Sequence, residues 1–509
     1  MLRHLALGFG VFATTLSPVH AQEVSHPVIE QKHRFDSGYH AGSGGAPGTG
    51  STRVWSQDVS TGGDWVQVHC RDSNLPSGSH LRLYSLQRPG WVQWHDAATL
   101  RDYDGWSCQL LGPTVRVELW AAPQTAGNRV LVDVSRSTFF GQGPDSICDT
   151  ADDRVLSSDP RSCRLGAGCS AWLFSEYAVA TAGHCMNSGS TGGVMLHFNV
   201  PPSTATGALV PSHPNDQYAL GSFLQFQDGG VGADWAVMAA LRNSNTQLFP
   251  GQAQGSWYVL GNLPGTIAGN LRVTGYGTGN GVSGSPTANQ TQKTHDGAWV
   301  ATSTAESVAY RADTTGGNSG SPILLDSTGE VVGVHTHGGC GPGTGANYGT
   351  VATRADWAAA QQLVRSLRTV GSFQLQGQGC GAAFGVPALT FGGVPELGRV
   401  FTVRVGNLNP APGLLGVLMV GFSDTQWSGG LLPASLAPLG LQGCTLYVSD
   451  EGIDGMLAAN GLAVRAYLIP NNASWLGAVL RYQYLGLDPT STTAVGGVVS
   501  NAGSVRFGN

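Results

Sequence analysis

The sequence predicts an all-β protein of about three domains, and three observations lead there. Glycine accounts for 75 of 509 residues with no Gly-X-Y period, which fits a chain full of turns and excludes collagen. Charged residues make up only 11%, against a usual share of about 25%, so the Glu- and Lys-rich runs of long helices are scarce. Short runs of Val, Thr, Tyr and Trp alternate with polar residues between Pro, Gly and Ser clusters, the pattern of half-buried strands. At roughly 150 residues per domain, the length suggests three. Hydrophobic residues at 41% are enough to build cores, which rules out a disordered chain. A net charge of -6 with basic residues spread thinly argues against nucleic-acid binding, which needs a basic stripe.

The N-terminus sets the compartment. Met1-Leu2-Arg3-His4 is followed by an apolar stretch from Leu5 to Leu16 and by Val19-His20-Ala21. A basic start, a short apolar core and a small residue read as a secretory signal peptide over residues 1–21, cut after Ala21. No other apolar run reaches the roughly 18 residues of a membrane span, so a secreted product, extracellular or periplasmic, without a transmembrane anchor is expected. Nine cysteines fit an oxidising destination, and an odd count leaves at least one outside intramolecular pairs. Cys70 with Cys108, and Cys380 with Cys444, are natural pairs because each lies within one candidate domain. Among Cys148, Cys163 and Cys340 one pair is expected, with Cys148–Cys340 preferred.

Composition divides the rest of the chain. Residues 22–50 end in a Gly/Ser/Pro-rich run and read as a flexible linker. Residues 51–135 carry period-two runs such as Trp65-Val66-Gln67-Val68 and Val115-Arg116-Val117-Glu118, which suggest an antiparallel β-sandwich serving as accessory or pro-domain. Its tryptophans could contact sugar or peptide, although packing explains them as well. Residues 136–370 hold the chemistry and close on a helix at 356–367, where Trp357, Ala360, Val364 and Leu367 share a face. Residues 371–509, sparse in charge, read as a second β-sandwich.

Three islands in the middle domain stand out. Thr181-Ala182-Gly183-His184-Cys185 ends an apolar strand, Asp234 enters another, and Ser319 sits in the glycine-dense turn Gly316-Gly317-Asn318-Ser319-Gly320-Ser321-Pro322. Singly each has an ordinary structural explanation. Together they supply nucleophilic chemistry. A serine hydroxyl is a weak nucleophile and needs a base within reach. His184 can take its proton and return it to a leaving amine. A buried Asp234 would fix the imidazole tautomer and stabilise the imidazolium. The backbone N–H groups of Gly317 and Ser319 would form an oxyanion hole, and one such donor is worth about 2.7–4 kcal/mol.

The His184 and Ser319 motifs resemble the chymotrypsin-like serine proteases, closest to the bacterial glutamyl endopeptidase branch, whose nucleophile turn also ends Ser-Gly-Ser-Pro. The likeness covers about residues 145–368. It implies two six-stranded β-barrels with the triad between them and a closing helix, giving an all-β chain of chymotrypsin-like double barrel flanked by sandwiches. It also implies a Cys169–Cys185 disulfide, closing a loop of about 16 residues for roughly 3 kcal/mol. The activity implied is a secreted serine endopeptidase acting on peptides or proteins, with no cofactor and no metal.

The specificity pocket reads two ways. Asp313 lies where trypsin-like enzymes place the acid that binds Arg or Lys. Gly333-Val334-His335-Thr336-His337-Gly338 resembles the strand that lines the glutamyl endopeptidase pocket, in which a His at the place of His335 binds the substrate carboxylate. Thr314 would add a second hydrogen bond. Glu or Asp before the scissile bond is preferred, and cleavage after Arg or Lys is the alternative. A zinc site at His335, His337 and Cys340 matches no common spacing. Activation by a cut near Arg136 is one route to a freed N-terminus. A catalytically idle binding module and a glycan- or envelope-binding role for the sandwiches remain as other classes of answer.

Overall fold

The alternating runs become strands in both parts of the chain. In this computed structural model the described residues are 19–22, 24, 28–45, 50–138, 143–166, 168–265, 269–300, 305–369, 371–381, 385–411, 414–470 and 472–509. Residues 1–18 of the expected signal peptide and 46–49 of the expected linker lie outside them. Two compact units result, Met1–Arg365 and Ser366–Asn509. Among the described residues no helix is long and apolar enough to cross a membrane.

The first unit begins with two four-stranded antiparallel sheets. One runs Val28–Asp36, Arg129–Thr138, Trp65–Asn74, Leu110–Leu111, and the other Thr52–Ser60, Thr114–Ala121, His80–Ser85, Val92–His95. Their inward residues, among them Val66, Val68, Leu81, Leu83, Val117 and Leu119, share one buried core. Two expectations are corrected here. Val28–Asp36 is a strand rather than linker. It is held by backbone pairing to Arg129–Thr138 while most of its side chains face solvent, so it leaves little hydrophobic period to read. Cys70 and Cys108 are free and buried, not paired. The bridge His69↔Trp106 and the bond from Ser107 N to Val68 O set the local register. Cys108 therefore falls about three residues along the strand from Cys70, roughly 10 Å at the rise of a strand, too far for a disulfide.

These sheets pack onto the barrel that follows them. Tyr103 and Trp106 share a buried cluster with Met195 and Ala219. Gln217 Nε2 donates to Gln109 O at 2.8 Å while Gln109 N donates to Gln217 Oε1 at 2.9 Å. Tyr103 Oη donates to Arg242 O at 3.1 Å. Arg136, the expected activation point, lies inside the strand Arg129–Thr138, pairs with Glu30 at 2.7 Å and stacks 3.9 Å from the Trp106 ring centroid. A protease needs an extended, exposed segment, and Arg136 does not offer one.

The next strands close a six-stranded barrel in the order Ser162–Leu165, Cys169–Leu173, Ala178–Thr181, Asp234–Ala240, Gln217–Asp228, Met195–His197. Its core includes Leu165, Leu173, Val179, Leu196, Phe198 and Met238. Among the described residues, the second expected barrel is a sheet that does not close by continuous pairing. Its order is Val155–Leu156, Lys293–Ala298, Asn270–Gly275, Pro322–Leu325, Val331–Gly338, Asn347–Val351, Ser307–Tyr310. A single bridge, Trp299↔Tyr310, brings its far strand back toward Lys293–Ala298. The helix Ala355–Ser366 buries Trp357, Ala360 and Val364. Leu367 lies beyond its end and is 37% exposed, so it is not on the packed face. Disulfides join Cys148–Cys340, Cys169–Cys185 and Cys380–Cys444, and Cys163 is buried and free.

In the second unit a five-stranded sheet runs Ser372–Gln376, Gly497–Arg506, Val479–Leu487, Leu414–Gly421, Gly452–Ala458. A three-stranded sheet, Ala388–Gly393, Val400–Gly406, Ala463–Leu468, shares a core with it around Phe401, Val403, Leu418 and Tyr482.

Tyr103→Ala should lower stability by about 3 kcal/mol, the cost of an emptied aromatic site, as a shift in the guanidinium midpoint of the first unit. An unchanged midpoint would contradict a tight seam between the N-terminal sheets and the barrel.

Candidate active site

Two neighbouring strands of the closed barrel bring a base and an acid together. Ala178–Thr181 pairs with Asp234–Ala240, Thr181 opposite Ala236. His184 follows the first strand in a single 3-10 turn, and Asp234 opens the second. Gly183 is required between them, because a Cβ there would sit 1.9 Å from Gln227 O. Asp234 is fully buried, and its carboxylate accepts from three donors. Oδ1 takes Gly183 N at 2.5 Å and His184 N at 3.1 Å, and Oδ2 takes His184 Nδ1 at 2.6 Å. A buried carboxylate is stable only when so bonded.

Ser319 comes from the other sheet, in the turn before Pro322–Leu325. Its Oγ lies 2.8 Å from His184 Nε2. Ser170 fixes this turn from the barrel side, donating Oγ–H to Gly317 O at 2.7 Å and its N–H to Ser319 O at 2.8 Å. Arg154, nearly fully buried, holds it from behind through Thr315 Oγ1 at 2.7 Å and Asn318 Oδ1 at 3.1 Å. Gly317 takes φ +94°, and a Cβ on it would lie 2.6 Å from Tyr276 O. Only glycine suits that position. The Gly317 and Ser319 N–H groups point at one oxygen, the carbonyl of Gln22, at 2.7 and 3.4 Å.

That oxygen belongs to the chain itself. His20 and Ala21 pair antiparallel with Gly338 and His337. Gln22 N donates toward Thr336 O at 3.4 Å and Ser319 Oγ at 3.1 Å. Val24 N donates to Gly168 O at 3.1 Å. The Gln22 side chain is buried, and His335 Nε2 donates to its Oε1 at 2.5 Å. Tyr310 Oη donates to His335 Nδ1 at 2.5 Å, which places the imidazole proton on Nε2. Burial above all, with His337 and His184 nearby, pushes the His335 pKa down to about 3, so the ring is neutral. Gly338 forms part of the same wall, since a Cβ there would lie 2.5 Å from Gln22 Nε2.

Other sequence-selected residues lie apart from this contact. Thr314 is buried, and its hydroxyl finds no hydrogen-bond partner among the described residues, so it does not join His335 on the Gln22 side chain. Asp313 is turned to the Cys148 N–H, which its Oδ1 accepts at 2.7 Å, and burial raises its carboxyl pKa to about 6. His337 lies 3.9 Å from Asp234 Oδ2, with burial lowering its pKa. Cys340 is bonded to Cys148 and so is not available as a metal ligand. Sequence reasoning missed Gln22, Tyr310, Ser170 and Arg154. The last three are ordinary residues in strands or loops, with no spacing to mark them.

Residues 169–334 match the trypsin-like peptidase domain family. A glutamyl endopeptidase of Bacillus licheniformis is 30% identical over 195 residues, covering 36% of this chain and 56% of that protein. The chain therefore spans just over half the length of that relative. Among solved structures, a thermostable serine protease from an extremophilic microorganism aligns at 16% identity over 40% of this chain and 98% of its own, with a TM-score of 0.32. An inactivated protease paralogue from the scabies mite aligns at 14% over 42% of this chain and 99% of its own, also at 0.32.

A lowered histidine pKa has a definite sign in stability. The unfolded chain takes up this proton near 6.5 and the folded chain only near 3, so stability is complete above about 6.5 and falls as pH drops from there. Urea midpoints of Ser319→Ala protein should fall between pH 6.5 and 4, and His335→Gln should flatten that slope. An unchanged slope would contradict a neutral, buried His335.

Proposed function

We propose, starting from the match of residues 169–334 to the trypsin-like peptidase domain family, that this protein is a serine endopeptidase using His184, Asp234 and Ser319. One observation carries the reading. A peptide carbonyl is held by the Gly317 and Ser319 amides beside an Oγ that lies 2.8 Å from His184 Nε2.

The chemistry follows from this placement. His184, its Nδ1–H fixed on Asp234, takes the Oγ proton as Ser319 attacks the carbonyl carbon. Charge developing on the carbonyl oxygen meets two backbone donors already in place, with no reorganisation during the step. His184 then passes the proton to the leaving amine, and a water molecule, deprotonated by the same imidazole, hydrolyses the acyl-enzyme. The chain is exported by the signal peptide proposed over residues 1–21. Residues 51–135 act as a permanent accessory domain, which their packing against the barrel supports.

Specificity is for Glu, and less for Asp, before the scissile bond. The Gln22 side chain is isosteric with Glu, and its Oε1 receives the only N–H of a neutral imidazole. An Asp carboxylate is one carbon shorter and reaches His335 poorly. Similarity to a glutamyl endopeptidase supports the same side-chain class. Asp313 Oδ1 instead accepts the Cys148 N–H.

Peptides differing only before the scissile bond should be cut after Glu at least about tenfold faster than after Arg or Lys, measured as kcat/KM. Faster cleavage after Arg or Lys would move specificity to Asp313. Ser319→Ala should lower kcat by about 10⁴-fold or more. Gly338→Ala, whose methyl enters the side-chain pocket and also crowds Ser146 Cβ at 2.8 Å, should lower kcat/KM for Glu peptides by about 100-fold, with circular dichroism checking that the fold persists.

A further inference from the structure

The segment around Gln22 is held as a substrate is held. Residues 20 and 21 extend the sheet at Gly338 and His337, the Gln22 carbonyl occupies both oxyanion donors, and its side chain fills the pocket at His335. Val24, two residues on, is bonded to Gly168 on the other side of Ser319. The chain is thus anchored on both sides of the Gln22–Glu23 bond. Four residues after Val24 it enters the strand Val28–Asp36 of the N-terminal sheets.

We propose that the protein's own N-terminal segment is its first substrate, and that Ser319 hydrolyses the Gln22–Glu23 bond within the same molecule. The proposal rests on the serine-protease reading above and adds that the pocket accepts a carboxamide. A neutral His335 donates one N–H to an oxygen, which Gln offers as Glu does.

The step balances as a hydrolysis. Ser319 Oγ bonds to the Gln22 carbonyl carbon, its proton passing to His184 Nε2, and the carbon–nitrogen bond to Glu23 breaks. That proton leaves on the Glu23 nitrogen, which becomes a new N-terminal amine. Water then adds to the Gln22 ester, its proton passing through His184 back to Ser319 Oγ, and Gln22 departs with a carboxylate. An upstream product that still carries residues 20 and 21 keeps only their pairing to Gly338 and His337 and the pocket contacts, and a lone Gln22 keeps only the latter, so it can leave and open the cleft. The downstream side stays tethered through the Val28–Asp36 strand. Until the cut is made, the segment excludes other substrates.

The test compares N-termini of purified full-chain protein, wild type and Ser319→Ala, by intact mass and N-terminal sequencing. An external Glu-containing peptide is assayed in parallel. Wild type should begin at Glu23, and Ser319→Ala should retain Gln22, even where a signal peptidase has already cut after Ala21. Loss of Gln22 should be first order and independent of protein concentration. Glu23→Pro, which makes the leaving nitrogen a proline, should retain Gln22 and hydrolyse the external peptide at least tenfold more slowly than wild type. Wild type that hydrolyses the external peptide yet retains Gln22 overturns self-processing and leaves the protease reading standing. Gln22 lost equally from Ser319→Ala assigns the cut to another enzyme and also overturns it. Glu23→Pro with full external activity removes the segment from the cleft. Wild type inert on both substrates overturns both readings.

Discussion

The buried carboxylate of Asp234 is the constraint around which the site is organised. An ionised group with no solvent contact must be hydrogen-bonded from several sides. Gly183 N, His184 N and His184 Nδ1 provide this together. The same three bonds fix the turn that carries His184 and orient its ring, leaving Nε2 pointing toward the second sheet. The Cys169–Cys185 disulfide ties the residue after His184 to the neighbouring strand. An asparagine at 234 would keep most of the geometry and lose the charge that stabilises an imidazolium.

The turn that carries Ser319 obeys a different constraint, close packing of backbone against backbone. A Cβ at Gly317 would meet Tyr276 O at 2.6 Å, and one at Gly320 would meet Ser170 O at 2.1 Å. Both residues also have positive φ. The glycines let the turn settle against the barrel, where Ser170 bonds it from one side and Arg154 from the other. The amides of Gly317 and Ser319 are then held so that both point at the Gln22 carbonyl.

How much could be read in the sequence depended on whether a feature was local. His184, Asp234 and Ser319 each sit in a short island whose glycines and apolar neighbours mark them, and the Trp357-to-Val364 face announces its helix. His335 was visible through its strand, but its neutral state was not, since that depends on burial and on the nearby His337 and His184. Gln22 lies 297 residues from Ser319 and carries no motif. Val28–Asp36 exposes most of its side chains and so shows little hydrophobic period, and composition suggested linker. The pairing of Cys70 with Cys108 failed on strand register, which counting cysteines does not provide. Residues 51–135 read as a module of their own, yet the glutamines and aromatics that seat them on the barrel become partners only in three dimensions.

The central claim is that Ser319 is a nucleophile activated by His184. A phosphonofluoridate that reacts only with activated hydroxyls tests it most directly, with the adduct located by peptide mass spectrometry. The account predicts one stoichiometric adduct on Ser319 in protein beginning at Glu23, and almost none after His184→Ala. An unlabelled Ser319 in such protein, or equal labelling without His184, would contradict it.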